Sequence, residues 1–173
     1  MPYPEHIVAP MRAELTRLGV KELRTSPEVA DAFDMSSDDT MLLVINSVCG
    51  CAAGMARPAV GLAMENEIQP DQIVTVFAGQ DLDATATARN YLVGIPPSSP
   101  FMALIKGGDV VYVIERRHIE GRSAEAIASD LVHAFDKYCG TDHSADEEGP
   151  DNPDTMGSHS EHPISSSFQS IIR

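Results

Sequence analysis

Five consecutive apolar residues, Met41 to Ile45, closed by Asn46 and followed by two cysteines one residue apart, constrain this chain more than any other feature. A run that short, rich in branched aliphatics and bounded by polar residues, predicts a strand buried on both faces. Three residues beyond Asn46 comes Cys49-Gly50-Cys51, and the small residues from Ala52 to about Glu65 predict a helix. The cysteines therefore fall where a central strand turns into a helix. In open α/β sheets that junction is where sites are carried.

The flanking segments supply the rest of such a sheet. Pro4 to Leu18 sets Ile7, Val8, Met11, Leu15 and Leu18 on one helical face, and Gly19 ends it. A short extended piece, Val20 to Arg24, precedes a helix opened by Ser26-Pro27-Glu28, with Ser26 as its cap, running to about Asp34. Ile73 to Phe77 is a second buried strand, and Asp81 caps a helix to about Leu92 that Gly94 stops. Phe101 to Ile105 and Val110 to Glu115 form a hairpin about Lys106-Gly107-Gly108-Asp109. Ser123 caps a last helix with Ala124, Ile127, Leu131, Ala134 and Phe135 on one face, ending near Tyr138. Two strand–helix steps followed by strand, strand, helix predict an α/β fold of the thioredoxin type. Its expected form is three α/β/α layers about a mixed central sheet, with an N-terminal helix–strand–helix extension.

Past Cys139 the composition changes. Residues 140–173 hold seven acidic residues and one basic one, and their apolar residues lack a period until Phe168, Ile171 and Ile172. Two regions follow: a thioredoxin-type domain over residues 1–139 and an acidic tail over 140–173, expected to be disordered because it buries too little surface to offset its ordering entropy. The tail's His143, His159 and His162 read as part of a solvating linker, with adventitious metal binding as the alternative.

A formal net charge of -14 argues against nucleic acid or an anionic membrane as partner, because both select Lys/Arg patches. The N-terminal residues carry charges throughout and do not read as a secretory signal. The longest apolar run is too short to span a bilayer. Three cysteines, two of them adjacent but for one glycine, do not make the disulfide framework of a secreted protein. The expectation is a cytoplasmic chain whose cysteine pair is catalytic or metal-binding.

At a helix N-terminus a thiol meets unpaired backbone N–H groups and the positive end of the helix dipole, and both favour the nucleophilic thiolate. Glycine between the cysteines permits the backbone angles a small disulfide ring requires. Such a ring suits exchange or isomerisation better than strong reduction. Ser99-Pro100, just before a strand, is a candidate cis peptide facing the cysteines. Pro58 is expected to kink the cysteine helix by removing a hydrogen bond. Arg57 reads as a surface charge, or as a group that holds an anionic thiol. Cys139 reads as a spare, partly buried thiol, and no dedicated acid–base residue stands out.

The run Val44-Ile45-Asn46-Ser47-Val48-Cys49-Gly50-Cys51-Ala52-Ala53-Gly54-Met55-Ala56-Arg57-Pro58 resembles the active-site segment of the bacilliredoxin family. So does Gly94-Ile95-Pro96-Pro97-Ser98-Ser99-Pro100, and so does the first helix ending Arg17-Leu18-Gly19. The similarity covers about Tyr3 to Cys139; the acidic tail departs from the family's compact pattern. The resemblance implies a thioredoxin-like fold and a Cys-Gly-Cys redox site, with Cys49 attacking, Cys51 resolving, and Gly50, Ser99 and Pro100 meeting the substrate. It further implies removal of bacillithiol from protein mixed disulfides, or weak disulfide isomerase activity. Bacillithiol is then a co-substrate, the partners are bacillithiolated client proteins and the small thiol, and neither a resident cofactor nor a metal is expected. The competing reading is a metal- or cluster-binding chaperone clamping a soft metal through the same cysteines, with Met55 or a tail histidine assisting. Core packing of the cysteines is the plainer alternative.

Overall fold

The apolar run is strand β2 (Thr40–Asn46), all seven of whose residues are buried in the middle of a five-stranded sheet. The computed structural model describes residues 1–140 and 149–156. Around β2, the chain forms α1 (Glu5–Thr16), β1 (Lys21–Glu22) and α2 (Ser26–Met35) on one side in sequence. On the other come a π-helical turn (Ala52–Ala56), α3 (Arg57–Ala63), β3 (Gln72–Phe77), α4 (Leu82–Asn90), β4 (Phe101–Lys106), β5 (Asp109–Ile114), α5 (Arg116–Ile119) and α6 (Ala124–Tyr138). The strand order is β1-β3-β2-β4-β5. β1 and β2 each pair with β3 in parallel, while β2 with β4 and β4 with β5 are antiparallel.

Alternation along β2 builds two cores. Leu42 and Val44 join Val60, Ile127, Leu131 and Phe135 under α3 and α6. Met41, Leu43 and Ile45 join Val29, Phe33, Ala84 and Ala88 under α2 and α4. A strand with apolar side chains on both faces is the element that a three-layer α/β/α packing requires. The hairpin forms as expected: Gly107 and Gly108 have φ of 57° and 84°, the left-handed pair of a two-residue turn that follows strand twist.

Several local expectations are corrected. The buried residues of α1 are Val8, Arg12 and Leu15, while Ile7 and Leu18 are exposed. An arginine turns inward because Glu5, Glu22 and Asp81 all bond its guanidinium, at 3.0, 2.5 and 2.6 Å. The cap of α2 is Thr25 and not Ser26. Thr25 and Glu28 satisfy each other's backbone N–H groups in a capping box, and Ser26 accepts a hydrogen bond from Thr87 instead. Asp81 stands at the cap position of α4 but spends its carboxylate on Arg12. The four-residue α5 was not expected, since one turn is too short to show a hydrophobic period.

Of the segment assigned to the tail, residues 149–156 lie along the outer edge of β5. Asp151 N–H donates to Val111 O at 2.9 Å, and its carbonyl accepts from Val113 N–H at 2.7 Å, forming a parallel bridge. Its carboxylate accepts from Lys137 Nζ at 2.7 Å and from the Tyr138 hydroxyl. These contacts give a sheet edge its missing partner. His143, His159 and His162 lie outside the described residues. No helix among the described residues is long and apolar enough to cross a membrane.

Candidate active site

Where β2 ends, Asn46 and Ser47 remain buried while Val48 and Cys49 are half-buried. The backbone carbonyl of Cys49 accepts from the N–H groups of Ala52 and Ala53, at 3.1 and 3.2 Å, so the cysteine caps the helical segment that follows. Gly50 is exposed, and Cys51 is half-buried behind it. The Sγ atoms of Cys49 and Cys51 are in disulfide contact, with the Cα atoms 5.4 Å apart. The pair therefore lies at the strand–helix junction that the sequence indicates, open to solvent on one side.

The first helical turn after the cysteines, Ala52–Ala56, is π-helical, and Pro58 falls in the first turn of α3. Pro58 was expected to interrupt a helix, and it stands instead at a helix start. A wider turn precedes the proline, whose missing N–H is tolerated at a helix start.

The Ser99-Pro100 peptide is cis. Because Phe101 is registered opposite Ile45, this peptide sits beside the end of β2. Strands β2 and β5 point the same way, each being antiparallel to β4, so the residue leaving β5 emerges at the cysteine end of the sheet. Glu115 leaves the strand there and leads into Arg116, whose Nη1 donates to Ser99 O at 3.4 Å and whose N–H donates to Ser98 Oγ at 3.4 Å. Arg116 is the exposed cation of the site. Residue-by-residue reading overlooked it, yet the direction of β5 in the expected topology was a usable signal.

Arg57 is not a surface charge. Its side chain is 2% exposed, and it is committed inward. Nε donates to Glu14 Oε2 at 2.6 Å, while Nη1 donates to Asn46 Oδ1 and to Ser47 O, both at 3.0 Å. A guanidinium so engaged has no fork left for a substrate, which corrects both sequence-based expectations for this residue. Ser47 was also missed. Its Oγ lies 3.2 Å from Cys49 Sγ, a contact that the two-residue spacing before the cysteine could have suggested.

Once the pair is reduced, the electrostatics separate the two thiols. Burial pushes the Cys49 thiol up, but hydrogen bonds from Cys51, Ser47 and the Ala52 N–H, with the charge of Arg116, outweigh it and hold Cys49 below its ordinary value. Cys51 is raised, by burial first and then by its bond to Cys49 and that neighbour's negative charge. A low-pKa thiolate beside a thiol that keeps its proton is the division of labour that disulfide exchange needs. Cys139, half-buried at the end of α6, is pushed up to about 11, chiefly by burial. Among the described residues no group of three His, Cys, Asp or Glu side chains converges as a metal site.

A model of the disulphide isomerase family matches residues 3–139. A bacilliredoxin of Salinibacter ruber is 60% identical over 172 residues, covering 99% of both chains. A bacilliredoxin of Geobacillus kaustophilus is 54% identical over 139 residues, which is 80% of this chain and 95% of that one. Among solved structures, the thioredoxin-like domain of Arabidopsis NCP superposes with a TM-score of 0.51 at 15% identity, covering 80% of this chain and 83% of that one, a likeness of fold alone. With the two-core sheet and the cysteine junction, these similarities decide the matter: the chain belongs to the bacilliredoxin family and is a thiol–disulfide oxidoreductase of thioredoxin-like fold.

Proposed function

We propose that this protein removes bacillithiol from protein mixed disulfides through the Cys49–Cys51 pair, with disulfide isomerisation as a secondary activity. The observation that carries this reading is the setting of the pair: Cys49 caps the helix with its Sγ 3.2 Å from Ser47 Oγ, which in the reduced pair favours its thiolate, while Cys51 is the less acidic thiol.

The Cys49 thiolate attacks the bacillithiol sulfur of the mixed disulfide. A new S–S bond forms to Cys49, the old one breaks, and the client cysteine leaves as a thiolate that takes a proton from water. Cys51 then loses its proton and attacks Cys49 Sγ, closing the intramolecular disulfide and expelling bacillithiol as a thiolate. A second bacillithiol can instead attack the adduct, leaving Cys49 reduced and producing the bacillithiol disulfide. Where the internal disulfide forms, a dithiol or two equivalents of small thiol must reduce it, leaving as their own disulfide. Gly50, exposed between the cysteines, and the cis Ser99-Pro100 peptide are the groups a substrate disulfide meets on approach. The thiol is a co-substrate in this scheme, and the sequence-matched relatives named bacilliredoxin support that choice of thiol.

Mass spectrometry of protein incubated with a bacillithiolated client tests the scheme. An adduct on Cys49 is expected, absent in Cys49→Ala and long-lived in Cys51→Ala. Full de-thiolation activity in Cys49→Ala overturns it. Stoichiometric metal on the purified, reduced protein supports the chaperone reading instead.

A further inference from the structure

We propose that the Ser47 hydroxyl is a catalytic hydrogen-bond donor to the Cys49 sulfur, and that buried Arg57 is the positioning residue that aims it. The proposal rests on Cys49 being the nucleophile, as argued above.

The geometry begins with a serine that has little freedom. Ser47 is 7% exposed, and both of its backbone polar groups are fixed. Its N–H donates to Asn46 Oδ1 at 2.8 Å, and its carbonyl accepts from Arg57 Nη1 at 3.0 Å. The same Nη1 donates to Asn46 Oδ1 at 3.0 Å, so one guanidinium nitrogen locks the side-chain oxygen and the peptide that together orient Ser47. Glu14 holds the far side of Arg57 through Nε and Nη2, at 2.6 and 3.3 Å. The Asn46 amide is placed in turn by Met11 O at 3.5 Å. A buried guanidinium is costly unless its donors are filled. Here all four of its hydrogen bonds run to the two residues just ahead of the cysteine loop or to the carboxylate that backs it.

What this frame aims is the hydroxyl, 3.2 Å from Cys49 Sγ. A thiolate carries no proton, so in the reactive form the hydroxyl must be the donor. It keeps its proton throughout. It stabilises negative charge on the attacking sulfur, and its bond weakens as that charge passes to the leaving sulfur. The other groups facing the sulfur are Cys51, the Ala52 N–H and Arg116, with Glu120 acting on Cys51. Unlike these, Ser47 is a neutral side-chain donor whose own peptide is tied to a buried charge.

The test uses the full chain with Cys51→Ser, so that Cys49 titrates without its neighbouring thiol. Thiolate absorbance against pH and the iodoacetamide rate are followed in that background with Ser47→Ala, Ser47→Thr and Arg57→Lys added. Loss of a hydroxyl bond to a thiolate should cut the thiolate fraction about tenfold at pH below the titration. The more basic thiolate is intrinsically more nucleophilic and regains about threefold, so alkylation should slow about threefold. Ser47→Thr keeps the hydroxyl and should recover most of the loss. Arg57→Lys should move the titration the same way, yet add nothing in the Ser47→Ala background, because it acts through Ser47.

An unmoved titration in Ser47→Ala overturns the catalytic role. Equal effects of Arg57→Lys with and without Ser47 overturn the positioning role. Neither readout involves bacillithiol. A Cys49→Ala protein that stays active removes the nucleophile itself, whereas an inactive Cys49→Ala beside an unmoved Ser47→Ala titration removes only this inference.

Discussion

The Arg12 guanidinium grips the Asp81 carboxylate with two hydrogen bonds, Nη1 to Oδ2 at 2.6 Å and Nη2 to Oδ1 at 3.0 Å. The two residues join α1 to the turn between β3 and α4. Glu5 and Glu22 complete the set, and the arginine's cation lies over the Phe77 ring at 5.2 Å from its centroid. Burial lowers the tendency of Arg12 to hold its proton, but the bonds to Asp81 and Glu22 more than reverse this, so it stays charged. Asp81 is 9% exposed, and among the described residues its other ion pair is the longer one to Arg24 at 3.8 Å. Arg12→Ala leaves that carboxylate stranded, and it should cost about 3–5 kcal/mol in urea unfolding. A loss below about 1 kcal/mol in the same measurement would mean that water repairs the site.

The segment bearing Asp151 should come away in acid. Burial raises this carboxyl, but bonds from Lys137, Tyr138 and Thr155 bring it below its ordinary value. Asp154 is lowered as well, first by Arg117 and then by His118. A folded-state value depressed in this way gives a contribution fully present above the ordinary carboxylate pKa of about 3.9, lost as pH falls through the lowered value. Amide exchange at Val113, whose N–H donates to Asp151 O, is the direct probe. Truncation after Gly140 should speed that exchange at neutral pH, and in the full chain the same loss should appear only below about pH 4. Unchanged Val113 protection in the truncated protein would show that the strap does not guard the β5 edge.

Alkylation should discriminate sharply between thiols. Cys139 is pushed up to about 11 by burial, while Cys49 is held below its ordinary value. Thiolate, not thiol, is the reacting species. With the Cys49–Cys51 pair reduced at neutral pH, limiting iodoacetamide should label Cys49 at least about tenfold faster than Cys139, read by peptide mapping. Comparable labelling of Cys139 would place it in a far more open setting than the end of α6 provides.

Sequence reading reached the fold through elements whose pattern is local. β2 declares itself by five consecutive apolar residues, Met41 to Ile45, the hairpin by adjacent glycines, and α6 by its apolar stripe. What stayed hidden depends on distant partners. Arg12 looks like a solvent residue until Asp81, 69 residues away, supplies a carboxylate, and Arg57 until Glu14 does so across 43. The docked stretch around Asp151 gave no hydrophobic signal because a backbone bridge, Lys137 and Tyr138 hold it. The cysteine junction was legible because strand, loop and helix start are contiguous. Arg116 was not, since it joins the site only through the direction of β5.

Arg116 should act on the charge of whatever approaches the cysteines. It reaches the site through the Ser99 carbonyl and Ser98 hydroxyl, and it favours the Cys49 thiolate. Its own charge is reinforced by Glu120, which accepts from Nε at 2.7 Å. Being exposed, it is screened by salt, so its influence belongs to low ionic strength. Iodoacetamide and iodoacetate react with the same thiolate but differ in charge, and their rates separate two effects. Arg116→Gln should slow both reagents through a less acidic Cys49, and should slow the anionic one by about a further threefold at low salt. That extra factor should fade toward unity near ~0.15 M salt, where the Debye length falls to about 8 Å. If the two reagents slow equally at every salt concentration, Arg116 tunes the sulfur without drawing in an anion. A ratio that moves with salt makes it the residue that selects an acidic thiol substrate.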